Sequence, residues 1–294
     1  MFKGKNIIYI SIIYAMIAAL FYGFSAPLSK LLLGELSPYL LSSLLYFGAG
    51  FGMLIVTLIS KKSPSSTFMN FDNHDAKYII LMIILDILAP ILLMFGLLNT
   101  NASTASLLNN FEIVFTGIIA MIFFKEMIGK RMWLAISLIV IAGGLLSFEN
   151  FTGFKLSLGA LLVLAASLSW GLENNCTRML SKKNPLHVVI IKGFGSGLGS
   201  LMIALFMGAA NAEWLFIFLA LLLGFFSYGM SLYFYITAQR HLGAARTSAY
   251  YAIAPFTGAI FSFVVLKESL SLIFIIAFVI MALGAYVAIK ENHE

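Results

Sequence analysis

The chain of 294 residues is 61% hydrophobic and 10% charged, with 27 phenylalanines and a mean hydropathy of +1.01. Those figures exclude a water-soluble globular domain. The formal charge of +6 does not indicate nucleic acid, because the basic residues are scattered through short connectors, and the single Cys176 excludes an intrachain disulfide.

A helix needs about 20 apolar residues to cross the hydrocarbon core. Ten such windows follow one another, at 7–28, 38–60, 78–98, 102–124, 132–148, 156–179, 186–209, 214–238, 244–265 and 270–289. The first has a basic flank like a signal peptide. Its apolar run is too long and has no clear small-x-small cleavage site, so it is expected to remain as the first span. The longest polar connection, KKSPSSTFMNFDNHDAK (61–77), reads as a loop.

Span 3 carries Asp86 with Pro90 one turn on. Span 4 carries Glu112, about ten residues in and so roughly 15 Å deep. An ionised carboxylate there is costly unless paired, hydrated or protonated. Helical spacing sets Ser106, Asn109, Glu112 and Thr116 on one face, a polar stripe expected to line a cavity. Glu112 then either binds a proton or a cationic substrate group, or is held permanently by neighbouring helices.

Span 6 holds the most polar intramembrane patch, Glu173, Asn174 and Asn175 in WGLENNCTR. Glu173 could gate the inner mouth or receive a proton; equally it could pair with Arg178 or Lys192. Lys192 in span 7 lies within snorkelling reach of the interface, or else is a counter-ion for Glu173 or binds a substrate carboxylate. In span 9 the face aligned with the Glu112 stripe is Thr247, Tyr250, Tyr251 and Thr257, with hydroxyls and rings but no acid. A pocket acidic on one side and aromatic on the other suits an amine or amphipathic zwitterion, although tyrosines also anchor spans at the interface. Tyr22, Trp170 and Tyr228 complete the candidate substrate-binding or coupling residues.

The histidines lack metal-ligand spacing, and there is neither a nucleophile–base pair nor a phosphate loop. No enzyme activity, catalytic residue, metal or cofactor is expected, and transport would be driven by a gradient or run downhill.

The chain is also written twice. SPYLLSSLLYFGAGFG (37–52) aligns with NPLHVVIIKGFGSGLG (184–199), FYGFSAPLSKLLL (21–33) with SWGLENNCTRMLS (169–181), and VFTGIIAMIFFKE (114–126) with PFTGAIFSFVVLKE (255–268). A repeat of five spans must enter the membrane from the opposite side in its second copy. With a cytoplasmic N-terminus, only Lys30, Lys155 and Lys267 of the 18 lysines and arginines fall outside, as the positive-inside rule requires. The glycine ladders, Gly48/Gly52 and Gly195/Gly199, read as close helix packing, with sliding of spans 2 and 7 as the alternative.

These features resemble the EamA-type transporters of the drug/metabolite transporter superfamily. The resemblance rests on the inverted fives, on Tyr22-Gly23 and Trp170-Gly171 in the first span of each half, and on the runs ending in Lys125-Glu126 and Lys267-Glu268. It implies a secondary transporter, an exporter of amino acids, other metabolites or toxic compounds, with alternating access to a central cavity. The proline typical of span 4 is Pro255 in the second half, but Val114 stands at the aligned first-half position, so substrate contacts there are expected to differ.

The expectation is therefore an all-α membrane protein of ten transmembrane helices in two inverted-topology five-helix repeats, residues 1–150 and 151–294. Helices 1, 3, 4, 6, 8 and 9 would wall the cavity. It would sit in the plasma or inner membrane with both termini cytoplasmic, as monomer or homodimer, its partners being a small-molecule substrate, the bilayer and protons. A non-transporting scaffold or sensor, or a channel, are the alternatives.

Overall fold

The computed structural model describes residues 2–59, 72–125, 129–150, 155–269 and 271–291; most of the 61–77 loop, and Glu126, lie outside the described residues. The chain is an integral membrane protein with eight helical stretches long and apolar enough to cross a bilayer. In order they comprise α1 (Phe2–Gly23) with α2 (Ser25–Leu32), α3 (Pro38–Ile59), α4 (Asn73–Leu98), α5 (Ala102–Leu108) with α6 (Phe111–Phe124), and α7 (Lys130–Ser147). After α8 (Leu158–Leu180) come α9 (Pro185–Phe206), then α10 (Trp214–Gly224) running through a π-helical turn (Phe225–Met230) into α11 (Ser231–Leu242), and α12 (Ala244–Tyr251) with α13 (Ile253–Leu266). The more polar α8 is equally long, and α14 (Leu272–Glu291) carries a shorter apolar run. One departure from an all-helical chain is a short antiparallel ladder, β1 (Phe148–Asn150) with β2 (Lys155–Leu156).

Local chemistry sets the ends. α3 and α9 both begin with proline, whose missing N–H is no loss in the first turn. Ahead of each, a side chain caps the helix: Ser37 Oγ accepts from Leu40 N at 3.1 Å, and Asn184 Oδ1 from Leu186 N at 3.0 Å. α6 and α13 both end on a lysine in the left-handed region, Lys125 at φ 53° and Lys267 at φ 51°. α4 starts earlier than hydropathy suggests because the Asp75 carboxylate accepts from Asp72 N at 2.9 Å. Lys183, in the turn before α9, reaches Asp75 at 2.9 Å and Asp72 at 3.5 Å. The hydrogen bond to Asp75 raises its pKa above the ordinary lysine value. The ammonium's contribution is therefore complete below the unfolded-state value and is lost only as pH climbs through the raised one. A Lys183→Met variant should show the same shift in unfolding midpoint at pH 6 and pH 9.

The helices pair closely: α4 against α8, α1 against α11, α3 against α9, α7 against α14, α6 against α8 and α1 against α13. Small residues permit the tightest crossings. A Cβ on Gly48 would overlap the Leu221 carbonyl, one on Gly224 the Leu45 carbonyl, and one on Gly193 the Gly50 backbone. Backbone cannot swing aside as a side chain can. Gly193→Leu should therefore cost about 3 kcal/mol or more, at the upper end of overpacking effects. Gly144→Ala in α7, with open space where its Cβ would stand, should be neutral in the same thermal unfolding assay.

Apart from the turn at Phe24 between α1 and α2, two spans break near mid-length. Between α5 and α6, i→i+3 bonds tighten the chain: Asn110 N to Leu107 O at 3.0 Å, Glu112 N to Asn109 O at 3.0 Å and Ile113 N to Asn110 O at 3.1 Å. α12 and α13 part at Ala252, whose N–H bonds back to Ala249 O at 3.3 Å. There Pro255 cannot donate to the Tyr251 carbonyl. The other break falls at Asn109-Asn110, where Asn109 Oδ1 accepts from Ser167 Oγ of α8 at 3.5 Å and the Asn110 amide is buried without a hydrogen-bond partner among the described residues.

Candidate functional site

A small polar cavity opens beside both breaks. Glu112 enters it from the first turn of α6 and Tyr251 from the end of α12; Tyr22 comes from α1, Asp86 from α4, and Trp170, Glu173 and Asn174 from α8. The π turn and α11 contribute Ser227, Tyr228 and Tyr235. Spans 2 and 7, which were not expected in the wall, also reach it, through Tyr46 on α3 and Lys192 on α9. The free space is about 30 Å³, enough for a water molecule and too little for an organic solute.

One side is aromatic. The Tyr22 ring stands edge-on to Trp170 with centroids 6.1 Å apart, and 5.7 Å from both Tyr228 and Tyr251. Tyr46 packs on Tyr228 at 5.2 Å and Tyr235 on Tyr251 at 5.0 Å.

The other side is charged. Lys192 Nζ lies 2.7 Å from Glu173 Oε1 and 3.2 Å from Asp86 Oδ2, with all three side chains at most 2% exposed. Tyr46 donates to Asp86 Oδ1 at 2.7 Å, and Thr177 to Glu173. Of the alternatives for Lys192, the structure selects the counter-ion: it does not snorkel, because two carboxylates hold it inside.

Glu112 has different company. Its Oε1 accepts from Asn174 Nδ2 at 2.7 Å, and among the described residues it makes no salt bridge. Asn174 also reaches Thr116 Oγ1 at 3.3 Å, and its backbone carbonyl accepts from Gln239 Nε2 at 3.0 Å. Asn175 braces the same junction by donating to the carbonyls of Thr116 at 3.2 Å and Gly171 at 2.8 Å. The site thus holds a carboxylate bonded by a neutral amide, beside a shared ammonium.

The expected stripe is interrupted. Thr116 stays with Glu112 through Asn174, and Asn109 joins Glu112 at a smaller void on the far side, lined also by Asn110 and Pro255. Ser106 does not reach the cavity: it is buried against Gly258 of α13, since the break at Asn109-Asn110 ends the continuity of one helical face. Tyr250 is likewise displaced, packed among Ala15, Ala238 and Leu242. Thr247 and Thr257 bond back to their own helices, through Gly243 O at 2.8 Å and Ile253 O at 3.2 Å. Of that second-half face, Tyr251 reaches the cavity.

Tyr46, Tyr235 and Gln239 escaped the sequence reading. Tyr46 sits just before the glycine ladder, whose pattern speaks of packing, and Tyr235 and Gln239 lie past the π turn, which rotates the helix face by a register no apolar pattern reveals. Glu268 is a further case: its carboxylate accepts from Ala102 N at 2.8 Å and Ser103 N at 3.0 Å, capping α5 from the other half of the chain.

Bilayer-length helices around an enclosed centre of carboxylates, an ammonium and aromatic rings define an integral membrane protein with a polar site at its core. The chain belongs to the EamA-like transporter family, whose pattern matches residues 9–148 and again 157–290; it is a membrane transporter. It is similar to an uncharacterized transporter of Methanothermobacter thermautotrophicus strain Delta H, at 30% identity over 298 residues, covering 95% of this chain and 85% of that protein. It also shares its fold with a protein of known crystal structure, at a TM-score of 0.75 and 16% identity over 96% of each chain.

Proposed function

We propose that the protein is a secondary transporter that exchanges a proton for a small amine-bearing metabolite by alternating access, exporting it across the cell membrane. The observation that carries this reading is Glu112, a carboxylate inside the bilayer at a helix break, bonded by a neutral amide and facing a cluster of rings. An ammonium would gain an ion pair with Glu112 and cation–π contact with the tyrosines and Trp170. Glu112 can carry a proton or an ammonium, not both. That competition couples the two fluxes, and an inward proton gradient then drives the amine outward.

Alternating access in turn calls for two halves, 1–150 and 151–294, of five spans each in opposite orientation, with both termini cytoplasmic. Several features support it. The family pattern matches twice. The helix pairs exchange under the repeat: α4 with α8 for α1 with α11, and α6 with α8 for α1 with α13. Both fourth spans break near mid-length and both end on a left-handed lysine. Discontinuous helices at equivalent positions of two halves are where transporters of this kind bind solutes.

A cavity of about 30 Å³ is nearly filled by its own side chains, which a non-transporting scaffold would share. Such a scaffold would hold Glu112 in a salt bridge, and the amide contact of Glu112 favours transport. The test is counterflow in proteoliposomes with a panel of amines and amino acids under an imposed pH gradient. Saturable exchange of an amine that responds to the gradient is expected; absence of exchange across the panel would overturn the reading.

A further inference from the structure

An apolar groove of about 510 Å³ lies between α1–α2 and α10, and its innermost residue, Ser227, also lines the central cavity. Phe24, Leu28 and Leu31 form one bank; Leu219, Leu222 and Phe226 form the other. Leu31, Leu222 and Phe226 are exposed in the protein, so in a bilayer the groove opens sideways into lipid. The partition between groove and cavity is thin. Ser227 Oγ donates to the Phe21 carbonyl at 2.8 Å, the rings of Phe21 and Phe226 stack at 6.1 Å, and Tyr228 stands directly behind on the cavity side. That partition is built on the π turn, a wide helical geometry that recurs at functional sites.

We propose that this groove takes the apolar tail of an amphipathic amine whose ammonium sits at Glu112, the molecule straddling Ser227 and passing laterally between the bilayer and the cavity. The inference rests on the cation-binding reading of Glu112 and names the substrate class. Space argues for it: the central cavity, at about 30 Å³, has no room for a tail, and a volume of about 510 Å³ lies next door. Charge argues against an ordinary phospholipid reaching through, because a phosphate would meet Glu112 and the surplus of carboxylates over ammonium at the centre.

A second groove of about 470 Å³ on the α3 side of α10, with Phe51, Ile55 and Phe218 among its walls, is equally apolar; it meets the first groove at Leu222 but shares no residue with the cavity. It supplies the control. Binding of tetramethylammonium and of octyltrimethylammonium to the full chain in lipid nanodiscs would be compared for the wild type, Leu219→Trp, Ile55→Trp and Glu112→Gln. Both substituted leucine and isoleucine side chains are exposed, so the folded core is spared. Leu219→Trp should weaken octyltrimethylammonium about tenfold or more and leave tetramethylammonium unchanged, while Ile55→Trp changes neither. Equal behaviour of the two tryptophan variants toward the octyl compound would show a groove occupied by bilayer lipid alone and overturn the proposal. Glu112→Gln separates the two claims. Loss of both ligands with that variant keeps the cation site whatever the groove does; no binding, or binding indifferent to Glu112, overturns both.

Discussion

Lys192→Met is expected to destabilise the protein by about 3–5 kcal/mol, the cost of removing one partner from a buried ion pair. Lys192 is 1% exposed and bridges Glu173 at 2.7 Å and Asp86 at 3.2 Å. Without the ammonium two carboxylates face each other in a medium that solvates neither. Because these groups come from α9, α8 and α4, the damage should loosen the joint between three spans rather than one helix end. The triple variant Lys192→Met, Asp86→Asn, Glu173→Gln removes the charges together and keeps acceptors for Tyr46 and Thr177. It should recover most of the loss, since neutral replacement of a whole buried cluster is often near neutral in stability. Thermal unfolding midpoints in one detergent decide the matter. A single variant as stable as the wild type would mean that the ammonium contributes nothing to holding the spans together.

Glu112→Gln is expected to abolish the pH dependence of transport while leaving the fold intact. The amide keeps an acceptor for Asn174 Nδ2, now 2.7 Å from the carboxylate, so the unfolding midpoint should move little. The charge is what the variant loses. A hydrogen bond to a charged group contributes about 1.5–3 kcal/mol, so amine affinity should fall roughly tenfold to a hundredfold. The sign with pH follows from competition: protonating Glu112 removes the anion that holds an ammonium, so wild-type binding weakens as pH falls, and the glutamine variant should bind equally weakly across the range. Proteoliposome exchange at several pH values, with and without a gradient, reads both effects. A variant that keeps the wild-type pH profile would remove Glu112 from the coupling.

Much of this site was legible in the sequence because a bilayer penalises polar groups so heavily that each one inside a span stands out. Asp86, Glu112, Glu173 and Asn174 were visible as charges or amides in apolar runs, and all four line the cavity. Tyr22 and Trp170 were marked by the repeat and Tyr251 by span 9, and with Tyr228, also among the candidates, they line it too. Ser106 and Tyr250 were assigned by extending one helical face through span 4 and its counterpart. That reasoning requires an unbroken helix, and both spans break.

Hydrophobic runs by themselves determined the membrane class and which polar residues had to be explained, because the cost of transfer into lipid follows local composition. Which carboxylate is neutralised and which is left to an amide was decided only by the tertiary structure. Lys192 could have reached the interface or a partner; it turned inward because Asp86 and Glu173 arrive from two other helices within about 3 Å, and that convergence depends on how glycine-lined backbones cross. Charge on a single helix is a property of sequence, whereas its compensation is a property of packing.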